Sequence, residues 1–422
     1  MAKQNKSNHY LSGREIRAIA KENRKITKAL EKRKHRRARE EEFISSMKDD
    51  KNILEIENLH TYFYTDQGVV KAVNGVSFEV PQNATVGIVG ESGCGKSVTS
   101  MSIMQLVQGP AGQIVSGNIR FKACDYRRDK KGNPVAVKQA DGSRSYVTEE
   151  KVYDIANMPT NEIFRIRGRQ IAMIFQEPMT SLNPVFTIGN QLDEVTFIHV
   201  PDASKTIARA RSMEMLELVG IAAPDRVYNS YPHELSGGMR QRVMIAMALA
   251  CNPRLIIADE PTTALDVTIQ AQILDLFRDL KTKINGSILL ITHDLGVVAE
   301  MADYVVVMYA GRVIEKGTVR EIFHNPLHPY TEGLQKSKPT MDSDSDTLFN
   351  IPGNVPNPVN MPNHCYFKER CGKCIGQCSG EYPKMVQVSP THFVACHLYN
   401  NESGVGNAMN NAILRRKGKE GV

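Results

Sequence analysis

The segment Gly90-Glu91-Ser92-Gly93-Cys94-Gly95-Lys96-Ser97 constrains the fold of this chain more than any other stretch, because it fits the pattern G-x-x-x-x-G-K-[ST]. The apolar run 84–89 before it predicts a buried strand, and residues 98–106 after it predict a helix. A glycine-rich turn in this position points successive backbone N–H groups inward as an anion nest. The helix N-terminus adds the positive end of its dipole. The alternative, a glycine-rich turn that matches by chance, is disfavoured by these flanks.

Within this segment the chemistry divides between backbone and side chains. Lys96 is expected to reach the β- and γ-phosphates of a nucleotide, and the Ser97 hydroxyl is expected to ligate Mg²⁺. The residues predicted to contact phosphate are Gly90, Ser92, Gly93, Cys94, Gly95, Lys96, Ser97 and Val98.

Charge is concentrated at the N-terminus of the 422-residue chain. Residues 1–50 hold 15 Lys+Arg and 8 Asp+Glu, which accounts for the whole net charge of +7. This arm is expected to be solvated and partly helical or disordered, with attraction to anionic lipid headgroups as the alternative. Nucleic-acid binding is disfavoured because no aromatic residues interleave the basic ones. No apolar run approaches the ~18 residues of a membrane span, and the polar N-terminus predicts a cytosolic chain.

Strand patterns flank the phosphate segment on both sides. Residues 53–58 and 69–80 predict antiparallel strands, and Phe63 between them is expected either to stack on adenine or to pack within the sheet. Residues 123–160 have weak periodicity and predict a surface insertion. Residues 171–175 predict a buried strand that ends at Gln176.

Later in the chain, polar residues again follow predicted strands or open helices. Ser236, followed by two glycines, predicts an exposed helix start that binds an anion. The apolar run 255–258 ends at Asp259-Glu260, where one carboxylate can hold Mg²⁺ and the next can orient a water. The run 287–291 precedes His293. Strands that alternate with helices predict an α/β fold with a largely parallel sheet.

Taken in order, these motifs resemble those of the nucleotide-binding subunit of ATP-binding cassette (ABC) transporters over residues 53–335. The resemblance implies a P-loop ATPase with an antiparallel β subdomain and a helical signature subdomain. It assigns base catalysis to Glu260, the switch role to His293 and a further catalytic role to Gln176. It places Ser97, Gln176 and Asp259 at the Mg²⁺ site. It also implies that nucleotide is sandwiched between two subunits, and it adds to the ATP-contacting set Ser236, Gly237, Gly238, Gln241, Asp259 and Asp266.

A closer similarity is to the ATPases of oligopeptide/dipeptide importers. It rests on E-P-M-T-S-L-N-P at 177–184, M-R-Q-R-V-M-I-A-M-A-L at 239–249 and H-P-Y-T-E-G-L at 328–334. It implies a subunit at the cytoplasmic face of the membrane that binds ATP and Mg²⁺ and powers peptide import. The implied partners are a second homologous ATPase, two membrane permease subunits and an extracytoplasmic peptide-binding protein, without nucleic acid.

Other functions remain open at this point. The same importer group includes transporters of other substrates such as nickel. A soluble cassette ATPase of translation or DNA repair is disfavoured, because only one cassette is present and the segment between residues 97 and 235 lacks heptads.

Five cysteines lie close together after residue 335, in a segment that resembles the small C-terminal extension of these importer ATPases. Those matching the family are Cys365, Cys371, Cys378 and Cys396, and Cys374 is extra. Four thiolates suit a [4Fe–4S] cluster, which some family members hold, or tetrahedral zinc. Free or paired thiols are the third alternative. The expected organisation is an arm at 1–50, an ATPase domain at 51–335, the extension at 336–400 and a polar tail at 401–422.

Overall fold

The computed structural model describes residues 11–129, 133–138, 144–176, 181–263, 267–284, 286–337 and 349–400. Its strands are β1 (Asn52–Thr65), β2 (Gly68–Pro81), β3 (Thr85–Val89), β4 (Gly112–Tyr126), β5 (Ala136–Lys138), β6 (Arg144–Tyr146), β7 (Thr148–Asp154), β8 (Ile171–Ile174), β9 (Leu255–Asp259), β10 (Ser287–Ile291), β11 (Tyr304–Tyr309), β12 (Arg312–Thr318), β13 (Val386–Gln387) and β14 (Phe393–Val394). Its α-helices are α1 (Gly13–Lys34), α2 (Lys96–Ile103), α3 (Ile188–His199), α4 (Lys205–Leu218), α5 (Pro224–Asn229), α6 (Gly237–Leu249), α7 (Val267–Ile284), α8 (Leu295–Met301), α9 (Val319–His324) and α10 (Pro329–Lys336).

A mixed sheet carries the phosphate segment. Its strand order is β13-β14-β12-β11-β3-β10-β9-β8, and the pairs from β11 to β8 are parallel. Strands β3, β9 and β10 are buried along their whole length, as expected for parallel strands covered on both faces. The predicted α/β fold with a largely parallel sheet is therefore confirmed.

An antiparallel sheet of order β2-β1-β4-β7 lies beside the mixed sheet. The predicted hairpin is present, with β1 and β2 each longer than expected and Thr65 paired to Gly68 at the turn. Their inward residues, together with those of β3, form one core that includes Leu54, Val76 and Ile88. The two sheets are thereby fixed to each other through a shared apolar interior.

Helices α3 to α6 form a separate apolar cluster around Leu192, Leu216 and Ile245. The starts of α3, α4 and α6 are capped by the side chains of Thr187, Ser204 and Ser236, each of which accepts a backbone N–H bond within the first turn. Among the described residues, no helix is long and apolar enough to cross a membrane.

The N-terminal arm is partly helical, as predicted, but it also contacts the sheets of the domain. Helix α1 begins with a capping box between Ser12 and Glu15 and packs on the end of the antiparallel sheet. The Asn23 side chain donates to the Thr65 carbonyl over 2.7 Å, and the Thr160 N–H donates to the Lys34 carbonyl over 3.1 Å. Polar contacts of this kind leave no mark in a hydrophobic pattern and could not be predicted from it.

The end of the arm extends the antiparallel sheet. Ile44 pairs with Tyr153 of β7, and the N–H groups of Ser45 and Asp154 bond to the carbonyls of Val152 and Phe43 over 2.8 Å each. Phe43 is 1% exposed and lies 6.0 Å, centroid to centroid, from the Tyr153 ring. The arm therefore belongs to the folded domain.

The predicted surface insertion at 123–160 is wrong for much of that segment. Strand β4 continues to Tyr126, and β7 pairs with it in regular antiparallel register from Arg120↔Asp154 to Tyr126↔Thr148. Between these strands the described residues include the small antiparallel β5–β6 pair. The pattern was misread because most of β7 is only partly buried.

The C-terminal segment packs on the mixed sheet through β14, which pairs with β12. The buried Glu315 carboxylate joins three segments here. It accepts bonds from the N–H groups of Leu327 and His328 over 2.8 and 2.9 Å, and it lies 2.8 Å from the His392 Nε2. Complete burial lowers the pKa of His328 to about 3, so its ring is neutral near pH 7.

Substitution of Phe43 tests whether the arm belongs to the domain. Phe43→Ala removes a fully buried ring and is expected to lower the free energy of unfolding by ~3 kcal/mol. Guanidinium denaturation of the purified chain measures it. The control is Phe164→Ala, at a ring that is 63% exposed and whose loss should change stability little. Equal stabilities for the two variants would contradict this packing.

Candidate functional site

An open cleft of about 520 Å³ lies where the phosphate segment meets the ends of β8, β9 and β10. Most of the residues that line it are ones that the sequence predicts to bind nucleotide or to take part in catalysis. The lining residues are Ala72, Ser92, Gly93, Gly95, Lys96, Ser97, Val98, Gln176, Glu260 and His293. Parallel strands end at the same sheet edge, which explains how residues far apart in the chain meet in one cleft.

Two glycines of the segment are required by close backbone packing. Gly90 and Gly95 have φ angles of 154° and 100°. A Cβ at Gly90 would lie 2.3 Å from the Met308 carbonyl oxygen, and one at Gly95 would lie 2.3 Å from the Ala72 oxygen. No other residue type fits either position without moving the backbone.

Lys96 is held by the loop's own carbonyls. Its side chain lies in the loop, with the residue 5% exposed, and Nζ donates to the oxygens of Gly90 over 2.8 Å and Glu91 over 3.2 Å. A polyphosphate in the cleft would give this ammonium anionic acceptors in place of these carbonyls. The lysine is thus placed for the predicted phosphate contact.

Asp259 is hydrogen-bonded to helix α2. Ser97 Oγ donates to Asp259 Oδ1 over 3.0 Å, and Ser100 Oγ donates to Oδ2 over 3.1 Å. Burial raises the pKa of Asp259, and these two bonds oppose that shift. A hydroxyl and a carboxylate side by side form the hard-oxygen donor set that Mg²⁺ prefers, so the pair fits the predicted metal.

Glu260 is fixed in place by three neighbours. Its Oε2 accepts hydrogen bonds from Gln176 Nε2 and Thr263 Oγ1, each over 3.0 Å, and lies 3.4 Å from His293 Nδ1. Its φ of 48° is in the left-handed region, which is uncommon for a residue with a side chain and is often found at functional sites. The structure therefore brings Gln176, Glu260 and His293 together as predicted.

The predicted signature residues lie outside this cleft. Ser236 caps α6 by accepting the Met239 N–H over 3.3 Å, and a Cβ added to Gly237 would meet open space. Gly238 is close to Ile269, while Gln241 is buried and donates to the Pro261 carbonyl over 2.7 Å. Gln241 thus links α6 to the segment after Glu260. Asp266 lies outside the described residues.

Phe63 is half-buried in β1, where it pairs with Val70 and Gly112. It is not among the residues that line the cleft, whereas Ala72 on the adjoining strand is. Adenine stacking on Phe63 therefore stays a prediction.

The four family-matching cysteines are near one another. Burial, with smaller contributions from neighbouring cysteines that include Cys371 and Cys378, raises the pKa of Cys365 to about 11 and of Cys396 to about 12. The thiols of Cys365 and Cys396 are accordingly protonated near pH 7. Across the described part of the chain, no group of three or more His, Cys, Asp or Glu is positioned to hold a metal ion. The predicted [4Fe–4S] cluster finds no support in this geometry.

Three residues of the site were absent from the sequence predictions. Ser100 lies one helical turn after Ser97, a spacing that could have indicated a shared partner. Thr263 follows Glu260 by three residues, but its bond depends on a turn that the pattern did not reveal. Ala72 reaches the cleft only because β2 runs past the loop.

Comparison with known proteins agrees with this geometry. A family model described as ABC transporter matches residues 73–263, and one described as oligopeptide/dipeptide transporter, C-terminal region, matches residues 314–378. The oligopeptide transport ATP-binding protein AppD of Bacillus subtilis (strain 168) is 49% identical over 350 residues, which covers 83% of this chain and 98% of AppD. The dipeptide transport ATP-binding protein DppD of the same organism is 45% identical over 351 residues, covering 83% and 96%.

A solved structure is also similar. It is the dimeric ATP-binding cassette MJ0796 in a post-hydrolysis state bound to ADP and Pi. The TM-score is 0.50 at 25% identity, and the match covers 63% of this chain and 99% of that one.

Removal of the cleft's buried lysine tests the site. Lys96→Ala is expected to weaken ATP binding more than about tenfold, because charge-assisted bonds to the terminal phosphates are lost. Calorimetric titration of the purified chain with MgATP measures it. The control is Lys28→Ala, at an exposed lysine of α1. Unchanged affinity in Lys96→Ala would show that nucleotide does not bind at this loop.

Proposed function

The chain belongs to the ABC transporter family and hydrolyses ATP, and from this premise we propose that it powers the import of oligopeptides or dipeptides through a membrane complex. The observation that carries the proposal is the presence of both family regions, the ATP-binding cassette and the oligopeptide/dipeptide transporter C-terminal region, in one chain. The AppD relative is matched over 98% of its length, so the similarity extends beyond the cassette.

Different residues of the cleft perform different parts of ATP hydrolysis. Backbone N–H groups of the loop and Lys96 bind and orient the phosphates. Ser97 and Asp259 would hold Mg²⁺, which would supply positive charge to neutralise the phosphate oxygens. Glu260, oriented by Gln176 and Thr263, accepts a proton from the attacking water. The His293 ring lies beside the same carboxylate, with Nδ1 near Glu260 Oε2.

Two ATPase subunits are required in this proposal. Ser236 and Gly237 are exposed at the start of α6 and lie outside the chain's own cleft. A helix N-terminus stabilises phosphate only within hydrogen-bond reach. We therefore assign these residues to the nucleotide of a second, homologous ATPase, whose own signature would face Lys96.

The membrane subunits need a docking surface on the helical part. Apolar side chains are exposed here beside Gln176, in the segment just before α3 and on α3. They are Phe175, Val185, Phe186, Phe197 and Ile198. Exposed apolar clusters of this kind mark interaction sites. Two permease subunits are proposed to bind here at the cytoplasmic face, with an extracytoplasmic protein supplying the peptide.

Uptake by the assembled transporter tests the proposal. Glu260→Gln keeps the shape of the carboxylate but removes the base, so ATP binding should persist while hydrolysis and labelled tripeptide uptake fall at least about a hundredfold. Proteoliposomes containing the complete complex measure both activities. The control is Glu214→Gln, at an exposed carboxylate of α4. If ATP hydrolysis is normal in the wild-type complex but no peptide enters, the ATPase assignment stands and peptide import is excluded.

A [4Fe–4S] cluster bound by Cys365, Cys371, Cys378 and Cys396 remains part of the proposal. Its support is the chemistry of the four thiols alone, since their arrangement in the described chain does not form a metal site. Binding would require the thiols to lose protons and draw closer together. Anaerobically purified protein should be brown, with iron near four per chain. Cys371→Ser should lose colour and iron, whereas Cys374→Ser should keep both. A colourless protein with one zinc would favour the alternative metal.

A further inference from the structure

The phosphate loop is bound by the C-terminal extension through one buried arginine. Arg370 Nη1 donates to Glu91 Oε2 over 2.7 Å, and Arg370 Nη2 donates to Glu91 Oε1 over 2.9 Å. This is a bidentate pair, in which both partners are fixed in distance and in plane. The Arg370 side chain is 5% exposed and that of Glu91 is 28% exposed, so solvent screens the pair weakly.

The same loop residue is also bound through its backbone. The Glu91 N–H donates to the Tyr330 Oη over 2.8 Å. Tyr330 is fully buried, with its ring centroid 4.7 Å from that of Tyr309 and 5.5 Å from that of Phe367. These three rings come from α10, from β11 beside the loop strand and from the extension, so the hydroxyl has little freedom to move.

Arg370 is itself anchored within the extension. Its Nε donates to the Pro352 carbonyl over 3.0 Å, and Nη2 also approaches the Ile351 carbonyl at 3.4 Å. The guanidinium therefore has acceptors on both sides, and it can reach Glu91 only when the extension is folded against the cassette. The ion pair with Glu91 reinforces the positive charge of Arg370 and raises its pKa.

Glu91, the loop residue bound by Arg370 and Tyr330, also contacts the loop lysine. The Glu91 carbonyl accepts from Lys96 Nζ over 3.2 Å and from the Cys94 N–H over 3.3 Å. All three polar parts of Glu91 are thus engaged: the carboxylate by Arg370, the N–H by Tyr330 and the carbonyl by the loop lysine. A shift of Glu91 would move the loop that has to surround phosphate.

We propose that Arg370 and Tyr330 are positioning residues that hold the phosphate loop in its nucleotide-binding shape, so that folding of the C-terminal extension controls the affinity of the cassette for ATP. Neither residue touches nucleotide, and both act through Glu91. The inference depends on ATP binding at the loop and is independent of the transported substrate.

The direction of the effect follows from preorganisation. A loop already held in the binding shape loses less conformational freedom when nucleotide arrives. If loss of the ion pair lowers the binding-competent fraction to about one tenth, the apparent affinity for ATP falls about tenfold. Once ATP is bound, the contacts of Glu260 are unchanged, so the chemical step should be nearly unaffected.

The test measures ATP binding and steady-state kinetics on the full chain in its assembled complex. Arg370→Met keeps an unbranched apolar stem and removes the guanidinium with its charge and donors. We expect KM for ATP to rise about tenfold while kcat stays within about twofold. If Arg370 only stabilised the fold, the substitution would lower the melting temperature but would not raise KM selectively while leaving kcat unchanged. Arg370→Lys should recover only part of the affinity, because an ammonium cannot pair in two places.

Two further variants make the test decisive. Glu91→Gln removes the negative charge and one acceptor of the same pair from the loop side. It leaves the extension intact and serves if Arg370→Met fails to fold. The double variant should be no weaker in ATP binding than either single variant, because the partners act as a unit. Lys373→Met is the matched control, since this lysine of the extension pairs with Glu332 and not with the loop. Wild-type KM in both single variants, or effects that add in the double variant, would overturn the proposal.

Discussion

The hydrogen bonds from Ser97 and Ser100 to Asp259 fix the first turn of α2 against the end of β9. The paired register of the parallel strands, in which Ile291 lies beside Asp259, brings that carboxylate to the sheet edge at the level of the loop. Glu260 then follows at once, with its N–H bonded to the Ile291 carbonyl over 2.8 Å. The catalytic carboxylate is therefore placed by the same strand pairing that places the metal ligand.

Local sequence was sufficient to predict this part of the molecule. The strand, turn and helix around Lys96 depend on glycines whose positions are set by close backbone contacts, and such contacts leave a clear mark in composition. The strands ending at Asp259 and Ile291 are continuous apolar runs, because they are buried on both faces. The positions of Gln176 and His293 followed from the same rule about strand ends.

Contacts between segments that are far apart in the chain could not be predicted from the sequence. Arg370 and Glu91 are separated by 279 residues. Neither lies in a sequence pattern that indicates the other as its partner. The assignment of Gln241 to nucleotide failed to anticipate its buried bond to Pro261, since a polar side chain after a helix start suggests exposure. Helix α1 is held largely by polar contacts, which a charge count cannot distinguish from solvation.

The short pairing of residues 43–45 with β7 has a consequence for the solution behaviour of the chain. Strand β7 is the last strand of its sheet, and an uncovered strand edge offers unpaired N–H and C=O groups to other molecules. The arm occupies part of that edge and covers the Tyr153 ring with Phe43. By covering this edge, the arm disfavours edge-to-edge association between copies of the protein. This effect depends on the backbone of the arm and not on its charge.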